Sequence, residues 1–130
     1  MDEVFKFLKA AGHYFLATED GAQPRVRPLG TAEIFEGKLY IQTGQGKNVA
    51  QQMLANPKVE LCAYDGTTWL RVAATVVPDD RIEAQAYVLS HYPELAGMYQ
   101  PGDGNTLVLY LKDATATFYS FTDEPRVVTF

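Results

Sequence analysis

Three acidic–glycine dipeptides, Asp20-Gly21, Glu36-Gly37 and Asp65-Gly66, most constrain how this chain can fold. Each separates two β-prone runs. Asp-Gly in that setting signals a tight hairpin, because the favoured turn needs positive φ at both central residues. The turns commit Tyr14–Thr18, Pro24–Ile34, Lys38–Thr43, Val59–Tyr64 and Thr67–Val77 to antiparallel pairing. A long run at Leu107–Phe121 and a short edge strand at Val127–Phe130 bring the expected tally to six or seven strands. Alternation places Val59, Leu61 and Ala63 on one face, and Leu70, Val72, Ala74 and Val76 on another inward face. An open sheet of this size leaves vulnerable edges, so the pattern predicts closure into a small barrel.

Helices punctuate the strands. Val4, Phe5, Leu8 and Lys9 form a helical stripe within Asp2–Ala11. A second helix, Lys47–Ala55, carries Val49, Gln52 and Met53 at helical spacing and stops at Asn56-Pro57, since proline restricts the residue before it. A third covers Arg81–Ser90, with Asp79 or Asp80 expected as its cap. Pro93–Tyr99 adds a helical turn. The 130 residues suit one domain, 1–130, and the 47% hydrophobic content allows a sizeable core. A net charge of −5 argues against a nucleic-acid surface. No apolar run reaches the ~20 residues that cross a bilayer. The N-terminus reads as an amphipathic helix rather than a signal peptide, and the single Cys62 forms no internal disulfide. A cytoplasmic protein without membrane or nucleic-acid partners is the expectation.

The chemistry concentrates at LYIQTGQGKNVAQQMLANP, residues 39–57. An alternating strand runs into Thr43, Gly44, Gln45, Gly46, Lys47 and Asn48, and a helix begins at once. Free backbone N–H groups, Thr43, Asn48 and the Lys47 ammonium then converge, which suits a phosphate. A cation at a helix start is disfavoured unless an anion intervenes. The spacing is not that of a P-loop, and a solvated loop lysine is the alternative. Arg25 and Arg27 in QPRVRP share one strand face, so both are solvated or both serve an anion. Pro28 removes a ladder donor and marks an edge, bulge or opening, where backbone beside Leu29 could meet a planar ring.

The outward face of Thr67–Val77 carries Trp69 and Arg71 followed by small residues, a pattern suited to a homodimer seam. Phe118, Tyr119 and Phe121 read as core or dimer packing. His13, His91 and Cys62 have no partner at a catalytic or ligand spacing. No metal site and no nucleophilic triad is apparent.

The succession QPRVRPLG, GKLYIQTGQGKNVAQQMLANPKVELCAYDG and TWLRVAATVV resembles the pyridoxamine 5′-phosphate oxidase-like proteins, the FMN-binding split β-barrels, over roughly residues 5–130. The resemblance implies a mainly β, antiparallel split barrel with flanking helices, assembled as a homodimer with FMN at the interface. It assigns the phosphate to Arg27, Arg25, Thr43, Lys47 and Asn48, beside Gly44. It sets backbone at Pro28 and Leu29 against the isoalloxazine ring, and gives Trp69 and Arg71 to the partner's flavin. FTDEPRVVTF lacks the C-terminal Trp and Arg pattern that binds pyridoxal in the oxidase itself, so vitamin B6 oxidation is not implied.

The implied activity is that of an FMN-dependent oxidoreductase or flavin reductase. Its small substrate is a quinone, a nitro compound, a nicotinamide or another oxidisable molecule, with NAD(P)H as a candidate donor. No residue stands out as catalytic. The alternatives are an FMN carrier or redox sensor without turnover, and a barrel holding F420 or haem instead.

Overall fold

The computed structural model describes residues 1–130. Eight strands and three α-helices follow in chain order: α1 (Asp2–Ala11), β1 (Tyr14–Asp20), β2 (Gln23–Leu29), β3 (Glu33–Phe35), β4 (Lys38–Gly44), α2 (Asn48–Ala55), β5 (Lys58–Tyr64), β6 (Thr68–Asp79), α3 (Ile82–Ser90), β7 (Thr106–Ser120) and β8 (Arg126–Thr129). A 3₁₀ turn covers Pro93–Leu95. The sheet runs β2-β1-β5-β6-β7-β4-β3, and every pairing is antiparallel.

The three turns fall where the dipeptides place them. Gly21, Gly37 and Gly66 all have positive φ, and Glu36 takes φ +50 beside Gly37. Asp65 Oδ1 accepts the Thr67 and Thr68 N–H groups and so closes the third turn on itself.

The fold is a split barrel rather than a closed one, and β7 explains why. From Val108 to Ser120 it pairs with β6 on one side. Its other side is divided between β4, at Thr106–Tyr110, and β8, at Thr115–Phe118. Between the two, Asp113 and Ala114 oppose the single residue Ala74, and Asp113 takes φ +52. Such a bulge bends the strand and increases its twist. The bend turns β7 away from β4 and frees its edge for β8. Ala114 and Phe130 then exchange both backbone hydrogen bonds, at 2.8 and 3.0 Å.

The inward faces follow the alternation. Leu61, Leu70, Val72, Leu109 and Ala116 are fully buried, and α1 adds Val4 and Leu8 to the same core. A smaller cluster of Tyr40, Ala84, Val88 and Val108 seats α3 on the outer side of β4 and β7.

Two expectations are corrected. Pro24–Ile34 is not one strand: it breaks after Leu29 and resumes at Glu33. Side chains replace the missing ladder. The Tyr14 hydroxyl donates to Thr31 O at 2.6 Å, and the Thr31 hydroxyl accepts Gln42 N–H and donates to Gln42 O. The Tyr92 hydroxyl accepts Ala32 N–H and donates to Ala32 O, both at 2.8 Å. The second correction concerns α3, which has no side-chain cap. Asp79 is recruited instead by Tyr40 and Arg81, and Arg81 also reaches Glu36. Hydrogen bonds from Arg81 lead the causes that hold the Asp79 carboxyl down at about 2.

Tyr92→Phe tests the strap at the break. It leaves the buried Ala32 N–H without its acceptor, which costs about 1–3 kcal/mol. Urea denaturation should show that loss with an unchanged slope.

Candidate functional site

The broken strand opens a cavity of about 620 Å³. Four parts of the chain wall it: the end of α1 into β1, the Pro28–Ala32 break, the end of β4, and the segment 92–99. Pro28, Leu29, Thr43 and Lys47 of the predicted site all lie on it. Pro28 sits on β2, an outermost strand of the sheet paired only with β1, and the chain leaves the ladder after the next residue. The opening expected from a mid-strand proline is therefore where the cavity forms.

Gly44 makes room within the chain itself. A Cβ at Gly44 would stand 2.8 Å from the Tyr99 hydroxyl oxygen, so the missing side chain admits Tyr99 against the end of β4. Around Gly46 the space is open. The turn is closed by the Lys47 N–H bonding to Gly44 O at 3.1 Å. Helix α2 begins with no side-chain cap and no acidic residue in its first turn. Its leading N–H groups and positive dipole end have no anion supplied by the chain.

Arg25, Arg27 and Asn48 line a second recess of about 580 Å³ with Asp20, Gln51 and Gln52. The expected single point of convergence is thus divided. Lys47 faces one hollow and its neighbour Asn48 the other. Arg27 is half-buried. Its guanidinium donates to Thr18 Oγ1 at 2.7 Å, to Leu16 O at 3.3 Å and to Gln52 Oε1. All three acceptors are neutral. The other four arginines each meet a carboxylate: Arg25 with Asp20, Arg71 with Glu60, Arg81 with Asp79 and Glu36, and Arg126 with Glu3. Burial, then the nearby Arg25 charge, lower the Arg27 pKa. Burial and the Arg25 charge thus work against the guanidinium charge, and a bound anion would favour it.

Trp69 and Arg71 lie on neither hollow. They stand on the outer face of β6, where Trp69 stacks on Tyr119 with centroids 5.4 Å apart and 12° between planes. Phe121, 80% exposed, also packs on Trp69, with centroids 5.1 Å apart. Phe15 and Tyr64 add further exposed rings. Burial pushes the Cys62 thiol up, which agrees with an inert thiol. His91 ends α3 and shares a 2.9 Å hydrogen bond with Tyr87 O. No cluster of three metal-ligating side chains exists.

Sequence reasoning missed the far wall of the cavity. Tyr92, Leu95, Met98 and Tyr99 line it; Lys9 and His13 also line the cavity, His13 with its ring along Gly30. Lys9 pairs with the buried Glu33 at 3.0 Å and donates to the Tyr92 hydroxyl at 2.9 Å. Burial works against that charge, but the bonds to Tyr92 and Glu33 outweigh it and raise the Lys9 pKa. The only local signal for this wall was the short helical turn after Pro93.

The family-model comparison matches pyridoxamine 5′-phosphate oxidase over residues 1–120. The chain belongs to that family. A NimC/NimA family protein from Clostridium acetobutylicum is 39% identical, with a TM-score of 0.95, covering 100% of this chain and 92% of that one. General Stress Protein 26 from Bacillus anthracis shares the fold at 13% identity and TM-score 0.79, covering 99% and 97%. A pyridoxamine 5′-phosphate oxidase-related, FMN-binding protein from Nostoc punctiforme shares it at 18% identity and TM-score 0.63, covering 99% and 93%. A search of curated proteins returns no match. No helix is long and apolar enough to cross a membrane.

The far wall depends on Asp103. Its carboxylate accepts backbone N–H groups of Gln100, Thr106 and Asn105, which hold its pKa down at about 2. A depressed carboxylate contributes stability above its unfolded value of about 4 and loses it as pH falls toward 2. Asp103→Ala should therefore be less stable than the parent at pH 7. The gap in thermal midpoint should close between pH 4 and pH 2.

Proposed function

We propose that this chain is an FMN-binding flavoprotein, an oxidoreductase or flavin reductase acting on a small molecule as a homodimer. One observation carries the reading: Arg27 is kept charged on neutral acceptors, beside a helix start that the chain leaves uncapped. The donor set fits a phosphate monoester. Arg27, Arg25 and Asn48 supply it from one hollow, and Lys47 and Thr43 from the other. The backbone at Pro28 and Leu29, on the sheet edge, offers polar atoms to the rim of a flat ring.

FMN would supply hydride and single-electron chemistry; the chain would orient it and set its surroundings. Family membership and the FMN-binding relative from Nostoc punctiforme support that cofactor. Thr18 and Gln52 fix the Arg27 guanidinium, so its charge is placed before ligand arrives. Such preorganisation saves the ordering cost at binding. The patch of half-buried Trp69 and Tyr119 with exposed Phe121 is the natural seam for the second subunit. Across it, Trp69 and Arg71 would serve the partner's site.

Arg27→Ala and Lys47→Ala should each weaken FMN binding by about 1.5–3 kcal/mol, the worth of a charged hydrogen bond. Calorimetric titration with FMN measures it, and unchanged affinity in both variants removes the assignment. With FMN bound, anaerobic NADPH or NADH should bleach the yellow colour; a form that no reductant bleaches is a carrier instead. For the seam, Trp69→Glu should move the protein toward monomer in sedimentation. A dimer that tolerates the charge means another face makes the contact.

A further inference from the structure

The flavin contacts proposed above account for one side of the 620 Å³ cavity. The rest of its lining has no role assigned. It holds two polar groups that the chain leaves free. Tyr99 is only 7% exposed, yet its hydroxyl enters no hydrogen bond within the chain. That oxygen is not sealed off, and it stands at the cavity wall against Gly44. With no partner in the chain, this hydroxyl is free to bond whatever occupies the cavity, water or ligand. His13 is the second. Its ring lies along Gly30, with Cδ2 3.4 Å from where a Cβ would stand, and neither ring nitrogen is bonded within the chain. Gly30 and Gly12 keep this mouth clear of side chains.

Between these groups the wall is apolar, from Leu95, Met98 and Leu8. Its charges disfavour an anion. Lys9 is neutralised by Glu33, and Glu94 adds a negative group at the rim. A neutral, flat ligand with hydrogen-bonding oxygens on its edges matches this lining. We propose that this remaining lining of the cavity is a binding site for a small neutral aromatic of the quinone type. The Tyr99 hydroxyl and the His13 imidazole are its polar anchors, and Leu95 and Met98 its apolar wall. The assignment rests on the flavin reading only for which side is taken.

The probe is 2,3-dimethyl-1,4-naphthoquinone, whose blocked ring carbons cannot add to the Cys62 thiol. Calorimetry measures its binding to FMN-saturated protein and, separately, FMN binding. Tyr99→Phe and His13→Ala should each weaken the quinone about five- to tenfold and leave FMN affinity within twofold. Leu95→Trp, which fills the space, should abolish quinone binding; Tyr99→Phe, which keeps the ring, guards against a mere folding defect. If either anchor variant weakens FMN as much as quinone, these residues belong to the flavin seat and the proposal falls. It falls equally if the quinone does not bind, or binds regardless of both anchors. If FMN does not bind but the quinone does, through both anchors, the site stands and the flavin reading fails.

Discussion

The hydrogen-bonded break at Gly30–Ala32 is the constraint on which the site depends. Ladder bonds are absent there, and three side chains, two of them from distant parts of the chain, take their place. Tyr14 comes from the start of β1, Thr31 from the break itself, and Tyr92 from beyond α3. Without these bonds the buried backbone of Ala32 would lack partners, and the chain would gain by continuing the strand. A continued strand would bring the Pro28–Ala32 wall into the sheet and close the opening. The polar strap is thus what keeps a cavity in the side of a barrel that hydrophobic burial alone would tend to close. Lys9 and Glu33 extend the strap, so α1 is fastened to the same point.

Electrostatics is arranged around this opening in a way that composition conceals. The chain carries −5 overall, yet Arg27 is given no carboxylate. An acidic protein has spare carboxylates to neutralise every guanidinium, and four arginines are so matched. Leaving Arg27 on amide, hydroxyl and carbonyl oxygens keeps its charge available while fixing its direction. The uncapped start of α2 adds dipolar charge of the same sign. These two features lie on separate elements, and only their packing makes them one electrostatic feature.

What was legible in the sequence was local. The Asp-Gly turns fixed their own geometry, since φ at Gly21 and Gly66 is decided by the residues themselves. Alternation in β5 and β6 exposed the inward face, because one residue of slip would turn Leu61 and Leu70 outward. The break in the second run was not legible, because what stabilises it is Tyr92, sixty residues from Ala32. The α3 cap failed for the same reason: Asp79 has a competing claim from Tyr40 and from Arg81, itself bound to Glu36. The basic residues near α2 were legible as types, but not their division between two hollows. That depends on which side of β2 and α2 each side chain leaves.

The far wall shows the same limit and its consequence for function. Asp103 folds residues 100–106 into a compact turn, and this anchors the segment that ends in Tyr99. Gly44 then allows the Tyr99 hydroxyl to reach the end of β4. One glycine and one carboxylate, both distant from the Pro28 edge in sequence, therefore shape the space around Tyr99. The sheet and α2 fix the polar side of the cavity through backbone and charge. Its other side hangs on a loop closed by backbone bonds to one carboxylate, and such loops change more readily than the sheet that supports them. Tyr92 ties the start of that segment to Ala32, so variation is easiest beyond Tyr92, where the sheet does not hold the chain.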